Sequence, residues 1–327
     1  MRYDARQSSG YLGFATATQN VIVSRNMDWP KLLNPQRLRD TTRQPEELRT
    51  EIERDYGRVV FSTPVRRLQD KAQVFPLETI DAVRTRLTHS MEVSAVARGL
   101  TRSTFAELAR KGRIDEHLVY DIETIAAICG LIHDIGNPPF GHAGEQAIQD
   151  WFKSRQNSAW SAEFKNHVAN EQCRRDFEQF EGNAQTLRLL SKLQILSDRS
   201  GLNLTAATLS ASCKYTASSL EAEEGHVRQS KHKPGYFKSE EDVVNKIRLM
   251  TGTNDSRNPI SFLVEASDDM VYAVVDIEDG IKKGVVSWSE VRAILEENRS
   301  EIGDALFDST VVFAEILPDC IVFTSSV

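Results

Sequence analysis

Ala126-Ala127-Ile128-Cys129-Gly130-Leu131-Ile132-His133-Asp134-Ile135-Gly136-Asn137 is an apolar run that ends on an imidazole and a carboxylate. Apolar side chains at Ile122, Ile125, Ile128, Cys129 and Ile132 recur at helical spacing, so the stretch reads as a buried helix. Asp121 is placed to cap its start, Gly136 to stop it, and Pro138-Pro139 to prevent its continuation. A histidine and an aspartate at the end of such a helix lose water and need a partner. A divalent cation satisfies both at once. A His-Asp pair is also a common chance dipeptide, so the choice rests on the rest of the chain.

Working outward, the helical pattern persists. Leu87, Met91, Val93, Val96, Ala97 and Leu100 give residues 87–100 a broad apolar face, and Leu187, Leu190, Leu193 and Ile195 do so for residues 183–198. Asn258-Pro259 opens a further helix, with proline near its first position, and Gly280 is expected to end it. No βαβ alternation and no short-period repeat is present, so the expected architecture is a single all-α domain over residues 27–327. Residues 1–26 lack periodicity and read as a weakly ordered extension, with Met27 as a candidate natural start. Residues 34–60 read as short helices and loops, 41–51 as a solvated surface segment, and 216–241 as a mobile loop or helical excursion.

Bulk properties bound the function. The chain has 327 residues, 40% of them apolar and 27% charged, which describes an ordinary globular protein. A net charge of −7 excludes a global polycation for nucleic acid, leaving local clusters such as Arg66-Arg67 and Lys231 to Lys233. The four cysteines, Cys129, Cys173, Cys213 and Cys320, form no CxxC pair, which argues against a zinc finger or a dithiol redox site and for a reducing cytoplasm. No apolar stretch is long enough to span a bilayer, and no secretory signal is recognisable at the N-terminus.

Four residues make a coherent ligand set: His89, His133, Asp134 and Asp268, carried on three helices. Two imidazoles and two carboxylates suit Mn, Fe, Co, Ni or Zn and, less comfortably, Mg, and do not choose among them. Taken singly, His89 fits a core histidine and Asp268 beside Asp269 a solvated charge pair. Tyr272 and Asp276 follow Asp268 at helical i+4 and i+8 spacing, which puts all three on one face of an otherwise apolar helix and suggests a polar cavity. Beyond the two prolines, His142 and Glu145 share a face if a helix starts near residue 142. A carboxylate there orients the imidazole and raises its basicity for acid–base work. The same spacing also fits a helix cap with an acidic first turn.

The pattern of His89, His133-Asp134 and Asp268 resembles the HD-domain superfamily of metal-dependent phosphohydrolases. More narrowly, the chain is similar to the bacterial deoxyguanosinetriphosphate triphosphohydrolase family and its broader dNTP-hydrolysing relatives. The matching stretches are RRLQDKAQVFPLE (66–78), RTRLTHSMEV (84–93), GLIHDIGNPPFGHAGE (130–145), FEGNAQTLRLL (180–190), CKYT (213–216) and KPGYFKSE (233–240). The long HDIGNPPFGH segment is far more specific than the bare HD pair. The resemblance runs from Met27 to about Asn298.

It implies an all-α fold around a divalent metal held by the four ligands, with His142 and Glu145 as the catalytic pair. It also implies that Arg86, Asn183, Lys214, Tyr215 and Lys233 line the triphosphate. Gln73 and Asp276 then meet the sugar 3′-hydroxyl, and Tyr272 packs on the deoxyribose, where an aromatic ring leaves little room for a 2′-hydroxyl. The implied reaction converts a deoxynucleoside triphosphate, foremost dGTP, to deoxynucleoside and inorganic triphosphate. His142 either donates to the leaving oxygen or relays a proton. The competing readings are another HD phosphohydrolase, such as a nucleoside monophosphatase, and a regulatory nucleotide- or DNA-binding protein without turnover. Family members form oligomers, often hexamers, and some respond to single-stranded DNA. From about residue 299 the sequence departs from the family. TVVFAEILPDCIVFTSSV (310–327) is β-prone, as expected of a truncated or frame-altered continuation.

Overall fold

The computed structural model describes residues 28–39, 48–154, 171–193 and 201–303. Among them the chain is mostly helical and contains no strand, only isolated bridges such as Arg37 to Thr205. The all-α expectation holds. The helices of seven residues or more are α1 (Glu51–Val60), α2 (Arg86–Arg110), α3 (Val119–Ile132), α4 (Gly141–Ser154), α5 (Glu171–Glu178), α6 (Gly182–Ser191), α7 (Ala206–Ser212), α8 (Glu241–Thr251), α9 (Pro259–Lys282) and α10 (Trp288–Glu297). The expected extension over 1–26, most of segment 41–51, Ile195 and the stretch 310–327 lie outside the described residues. Among the described residues no helix is long and apolar enough to cross a membrane.

Helix α3 is the axis of the fold. Every residue from Ile122 to Ile132 is buried, so this helix is apolar all round rather than amphipathic. Ile122, Ile125, Ile128 and Ile132 are each 0% exposed, and burial of each such side chain contributes about 1.5–3 kcal/mol. The buried acidic residue on this rod, Glu123, lies against Arg98 at 3.2 Å and Arg102 at 3.6 Å, both from α2. Helix α2 runs along α3, α9 packs on both, and α1 and α7 cover other faces. The α2–α3 contact is close: the Ser94 hydroxyl donates to the Ala127 carbonyl at 2.7 Å. A Cβ on Gly130 would stand 2.7 Å from the Ser94 Cα. Arg84, just before α2, fastens α9 by donating to Asp279 at 2.7 Å and Glu278 at 2.6 Å, with Glu92 of α2 at 2.8 Å.

Helix starts follow local chemistry. Thr50 and Glu53 form a capping box on α1, Thr85 and Thr88 on α2, and Ser287 and Glu290 on α10. Asn258 caps α9 through Ile260 N–H at 3.0 Å, with Pro259 at the first position, as the sequence suggests. Four expected boundaries differ. Helix α3 begins at Val119, entered through a 3-10 turn over Glu116–Leu118, so Asp121 lies in the first turn and accepts the Thr50 hydroxyl at 3.3 Å. It ends at Ile132, before Gly136, whose missing side chain serves a close approach rather than a helix stop. Helix α9 runs through Gly280 to Lys282, and the left-handed turn comes at Gly284, with φ of 67°. Helix α6 ends at Ser191, short of the expected residue 198. The 216–241 stretch is an ordered connection. It is fixed by bonds such as Thr216 N–H to Ser230 O at 2.8 Å and Ser219 Oγ to Asp176 at 2.6 Å.

Candidate active site

The α2–α3 contact sets His89 beside His133, with ring centroids 5.5 Å apart. Helix α9 brings Asp268 to both, its Oδ1 lying 3.1 Å from His89 Nε2 and 3.5 Å from His133 Nε2. The ligand atoms of His89, His133 and Asp268 all lie within 4.8 Å of one another. His133 Nδ1 bonds the Gly130 carbonyl at 2.7 Å. A carbonyl only accepts, so Nδ1 carries the proton and the neutral ring offers the Nε2 lone pair to the cluster. That lone pair faces two carboxylate oxygens, Asp268 at 3.5 Å and Asp134 Oδ2 at 3.6 Å. Acceptors facing acceptors are repulsive unless a positive centre lies among them, and a divalent cation fits this donor set. Burial would raise the Asp268 carboxyl, but the His89 hydrogen bond and both neighbouring rings hold it at about 2.

Asp134 lies at the edge of this cluster rather than within it. Its Oδ2 accepts Arg86 Nη1 in a short ion pair, and its Oδ1 accepts the Asn137 amide at 2.6 Å. Burial pushes this carboxyl up, and His133 and Arg86 bring it below its ordinary value. The Arg86 guanidinium is buried, lies against the open side of Gly141, and keeps one buried nitrogen, Nε, without a partner. Lys71 braces the turn after His133-Asp134 by donating to the carbonyls of Ile135 at 3.2 Å and Asn137 at 2.7 Å.

Phe140 and Gly141 both adopt left-handed φ, 67° and 55°, and throw the chain into α4. The first turn of α4 carries His142 and Glu145, bonded through Nδ1 and Oε2 at 2.7 Å. The His142 side chain is 82% exposed and the Glu145 side chain 5% exposed, so a buried carboxylate holds a ring that reaches solvent. The Glu145 hydrogen bond raises the His142 pKa above its ordinary value. Burial would raise the Glu145 carboxyl, but His142 and the Gly182 N–H, donating to Oε1 at 2.7 Å, leave it lowered.

A cleft of about 380 Å³ opens over these groups. Its walls include the metal cluster with Asp134, and also Arg86, His142, Gln73, Asn183, Lys214 and Tyr272. Lys214 pairs with Glu265 at 3.3 Å, and Asn183 donates to Glu181 at 2.8 Å. Gln73 Oε1 and Asp276 Oδ1 are buried without partners. The cleft wall does not include Tyr215, Lys233 or Asp276. Tyr215 lines a separate small cavity with Arg257, and Lys233 pairs with Glu181 at 3.2 Å. The apolar side chains of α9 divide: Val264, Val271 and Val275 are buried, and Met270 and Val274 are exposed.

Sequence reasoning missed Lys71, Asn137, Glu181 and Glu265. Glu265 holds both Lys214 and the buried Arg257, the latter at 2.6 Å. Its signal was available, since it precedes Asp268 by one helical turn. Lys71, Asn137 and Glu181 sit inside motifs already singled out.

An HD domain model matches residues 86–223, which contain His89, His133, Asp134, His142 and Glu145. A deoxyguanosinetriphosphate triphosphohydrolase-like protein of Listeria innocua is 44% identical, over 83% of this chain and 59% of that protein. One of the same description from Synechocystis is 38% identical, over 83% and 63%. A deoxyguanosinetriphosphate triphosphohydrolase of Serratia proteamaculans is 37% identical, over 81% and 56%. The chain thus spans about three fifths of the length of the curated relatives it matches.

Proposed function

Since this chain belongs to the HD-domain family, with deoxyguanosinetriphosphate triphosphohydrolase-like proteins among its relatives, we propose that it cleaves deoxynucleoside triphosphates between the 5′-oxygen and the α-phosphorus. The products are a deoxynucleoside and inorganic triphosphate, and dGTP is the foremost substrate. The observation that carries this reading is the cluster of His89, His133 and Asp268 at the floor of a cleft that also holds His142 and Arg86.

A divalent cation held by His89, His133, Asp268 and Asp134 would supply an activated water and charge neutralisation at phosphorus. The chain's own residues do the rest. Arg86 is anchored on Asp134 and presents its remaining guanidinium edge to an α-phosphate oxygen. Lys214, held by Glu265, and Asn183, held by Glu181, receive the outer phosphates from the cleft wall. Lys233 and Tyr215 stand behind that wall and add charge and support rather than first contact. Glu145 favours the protonated form of His142, which holds a proton for the departing 5′-oxygen. Gln73, whose buried Oε1 lacks a partner, accepts from the sugar 3′-hydroxyl, and the Tyr272 ring covers the deoxyribose; Asp276, off the cleft wall, stands one turn behind Tyr272 rather than in first contact.

The test is product identity. Purified protein is incubated with dGTP and a divalent metal, and products are resolved by anion-exchange chromatography. Deoxyguanosine with intact triphosphate supports the proposal. Orthophosphate released from deoxynucleoside monophosphates indicates a monophosphatase instead, and nucleotide binding without product a regulatory protein.

A further inference from the structure

Gly136 and Gly182 face each other across the seam between the metal-bearing turn and α6, and they are glycine for different reasons. A Cβ on Gly136 would meet backbone: the Gly182 carbonyl at 2.1 Å and the Thr186 nitrogen at 2.3 Å. The seam is closed there by Gly136 N–H donating to the Thr186 hydroxyl at 3.1 Å. Neither glycine has a left-handed φ. Gly182 opens α6, where glycine is a poor helix former, so its backbone alone gives no reason for the residue. A Cβ there would meet only the ends of two side chains, Asn137 Oδ1 at 2.1 Å and Glu145 Oε1 at 2.7 Å. These two are the residue that steadies Asp134 and the residue that holds His142.

We propose that Gly182 is a positioning residue. Its bare Cα leaves the space in which Asn137 and Glu145 take up their working geometry, and its N–H fixes Glu145 in that space. One residue of α6 thereby sets both halves of the reaction centre, the turn that carries Asp134 and the His142–Glu145 pair. The proposal rests on the phosphohydrolase reading for its effect on turnover but not for its effect on geometry. A methyl at 182 displaces side-chain ends, which move without unfolding the backbone, whereas a methyl at 136 meets backbone atoms first, with the Thr186 hydroxyl behind them at 2.6 Å. The groups facing His142 are Glu145 on its own helix and, from neighbouring segments, Lys233 and Glu181. Glu145 faces His142, Lys233 and the Gly182 N–H. Of these, Gly182→Ala displaces Glu145 directly.

The experiment compares Gly182→Ala, Gly136→Ala and the double variant Gly182→Ala with Glu145→Ala in the full chain. The readout independent of turnover is the imidazole titration of His142, followed by NMR and assigned by its loss in His142→Ala. Gly182→Ala is expected to keep the melting temperature within a few degrees and to move the His142 titration to lower pH. It is also expected to lower kcat/KM for dGTP by roughly 10²-fold, the lower end of lost acid–base help. In the Glu145→Ala background it should leave the titration where Glu145→Ala alone put it. Gly136→Ala should lower the melting temperature more than Gly182→Ala. An unmoved His142 titration in a folded Gly182→Ala protein overturns the proposal. So does a Gly182→Ala protein that unfolds, because the missing methyl then serves the backbone. If the unsubstituted protein makes no triphosphate from dGTP, the functional reading fails while the titration still decides the role of Gly182.

Discussion

A methyl group added at Gly130 should weaken metal binding from outside the metal cluster. Gly130 lies where α3 touches α2, and its Cβ would stand 2.7 Å from the Ser94 Cα and 2.8 Å from the Ser94 nitrogen. Both are backbone atoms, so no side chain can turn aside. Ordinary contact begins at 3.4 Å, so the helices must part by about 0.7 Å at this point. His133 follows Gly130 by three residues, at the C-cap of α3, and His89 precedes Ser94 by five on α2, so the opening falls between the two imidazoles. Metal–ligand distances tolerate only about 0.2 Å. The expected result for Gly130→Ala is a loss of about 1–3 kcal/mol in stability, the usual cost of overpacking. Metal affinity should fall roughly 10–100-fold, the scale seen when groups supporting a ligand are changed. Gly99, also on α2, is the control, since a methyl added there would find nothing within 4 Å. Gly99→Ala should stabilise by about 0.4–1 kcal/mol and leave metal affinity alone. Thermal melts and calorimetric metal titrations of both variants check this. A Gly130→Ala protein that binds metal as tightly as the unsubstituted chain would refute the idea that this crossing sets the spacing of the ligands.

Further outcomes concern the cleft directly. His133→Ala should strip the metal and abolish turnover, because the remaining carboxylates then repel one another without a full donor set; metal content by elemental analysis that matches the unsubstituted protein would remove His133 from the ligands. His142→Ala should keep its metal and lose roughly 10²–10⁴-fold in turnover, and near-normal turnover would make His142 a helix cap. Because Glu145 raises the His142 pKa, an acid role predicts that kcat/KM falls as pH rises through that raised value. Glu145→Gln should move this basic limb to lower pH, and a limb that stays in place in a pH–rate profile assigns it to another group. Tyr272→Ala should narrow the dGTP-to-GTP ratio of kcat/KM by at most about 10²-fold, since a hydroxyl excluded by packing alone is rejected only modestly. An unchanged ratio at equal metal occupancy places sugar selection elsewhere, around Gln73.

The parts of this molecule that the sequence disclosed are those governed by local chemistry. Asn258-Pro259 starts α9 as expected because an Asx cap and a fixed proline φ act within three residues. The three helices that carry His89, His133 and Asp268 were legible from apolar periodicity, and their meeting in space followed from the motif resemblance rather than from periodicity. Glycine was the recurrent source of error. Gly136 and Gly280 read as helix stops because a sequence shows the residue but not which property of it is used. In the structure Gly136 serves a missing Cβ and Gly284 serves a positive φ. The contacts that position the site span long separations, such as Gly182 to Glu145 at 37 residues and Lys71 to Asn137 at 66. No local pattern encodes such pairs. Tyr215 and Lys233 matched motif positions yet lie off the cleft wall, because Glu181 and the neighbouring small cavity hold them there.

The bond between His89 and Asp268 joins residues 179 positions apart. Chains are synthesised from the N-terminus, so a nascent chain presents His89, His133 and Asp134 long before Asp268 is made. In the proposed ligand set, such an unfinished chain has an open coordination sphere and no grip on the ion, and α2 and α3 stand without the helix that packs on both. With that ligand set, capture of a metal would follow the packing of α9 on α2 and α3. A stalled or cleaved product ending before α9 carries the whole HDIGNPPFGH motif and still lacks Asp268.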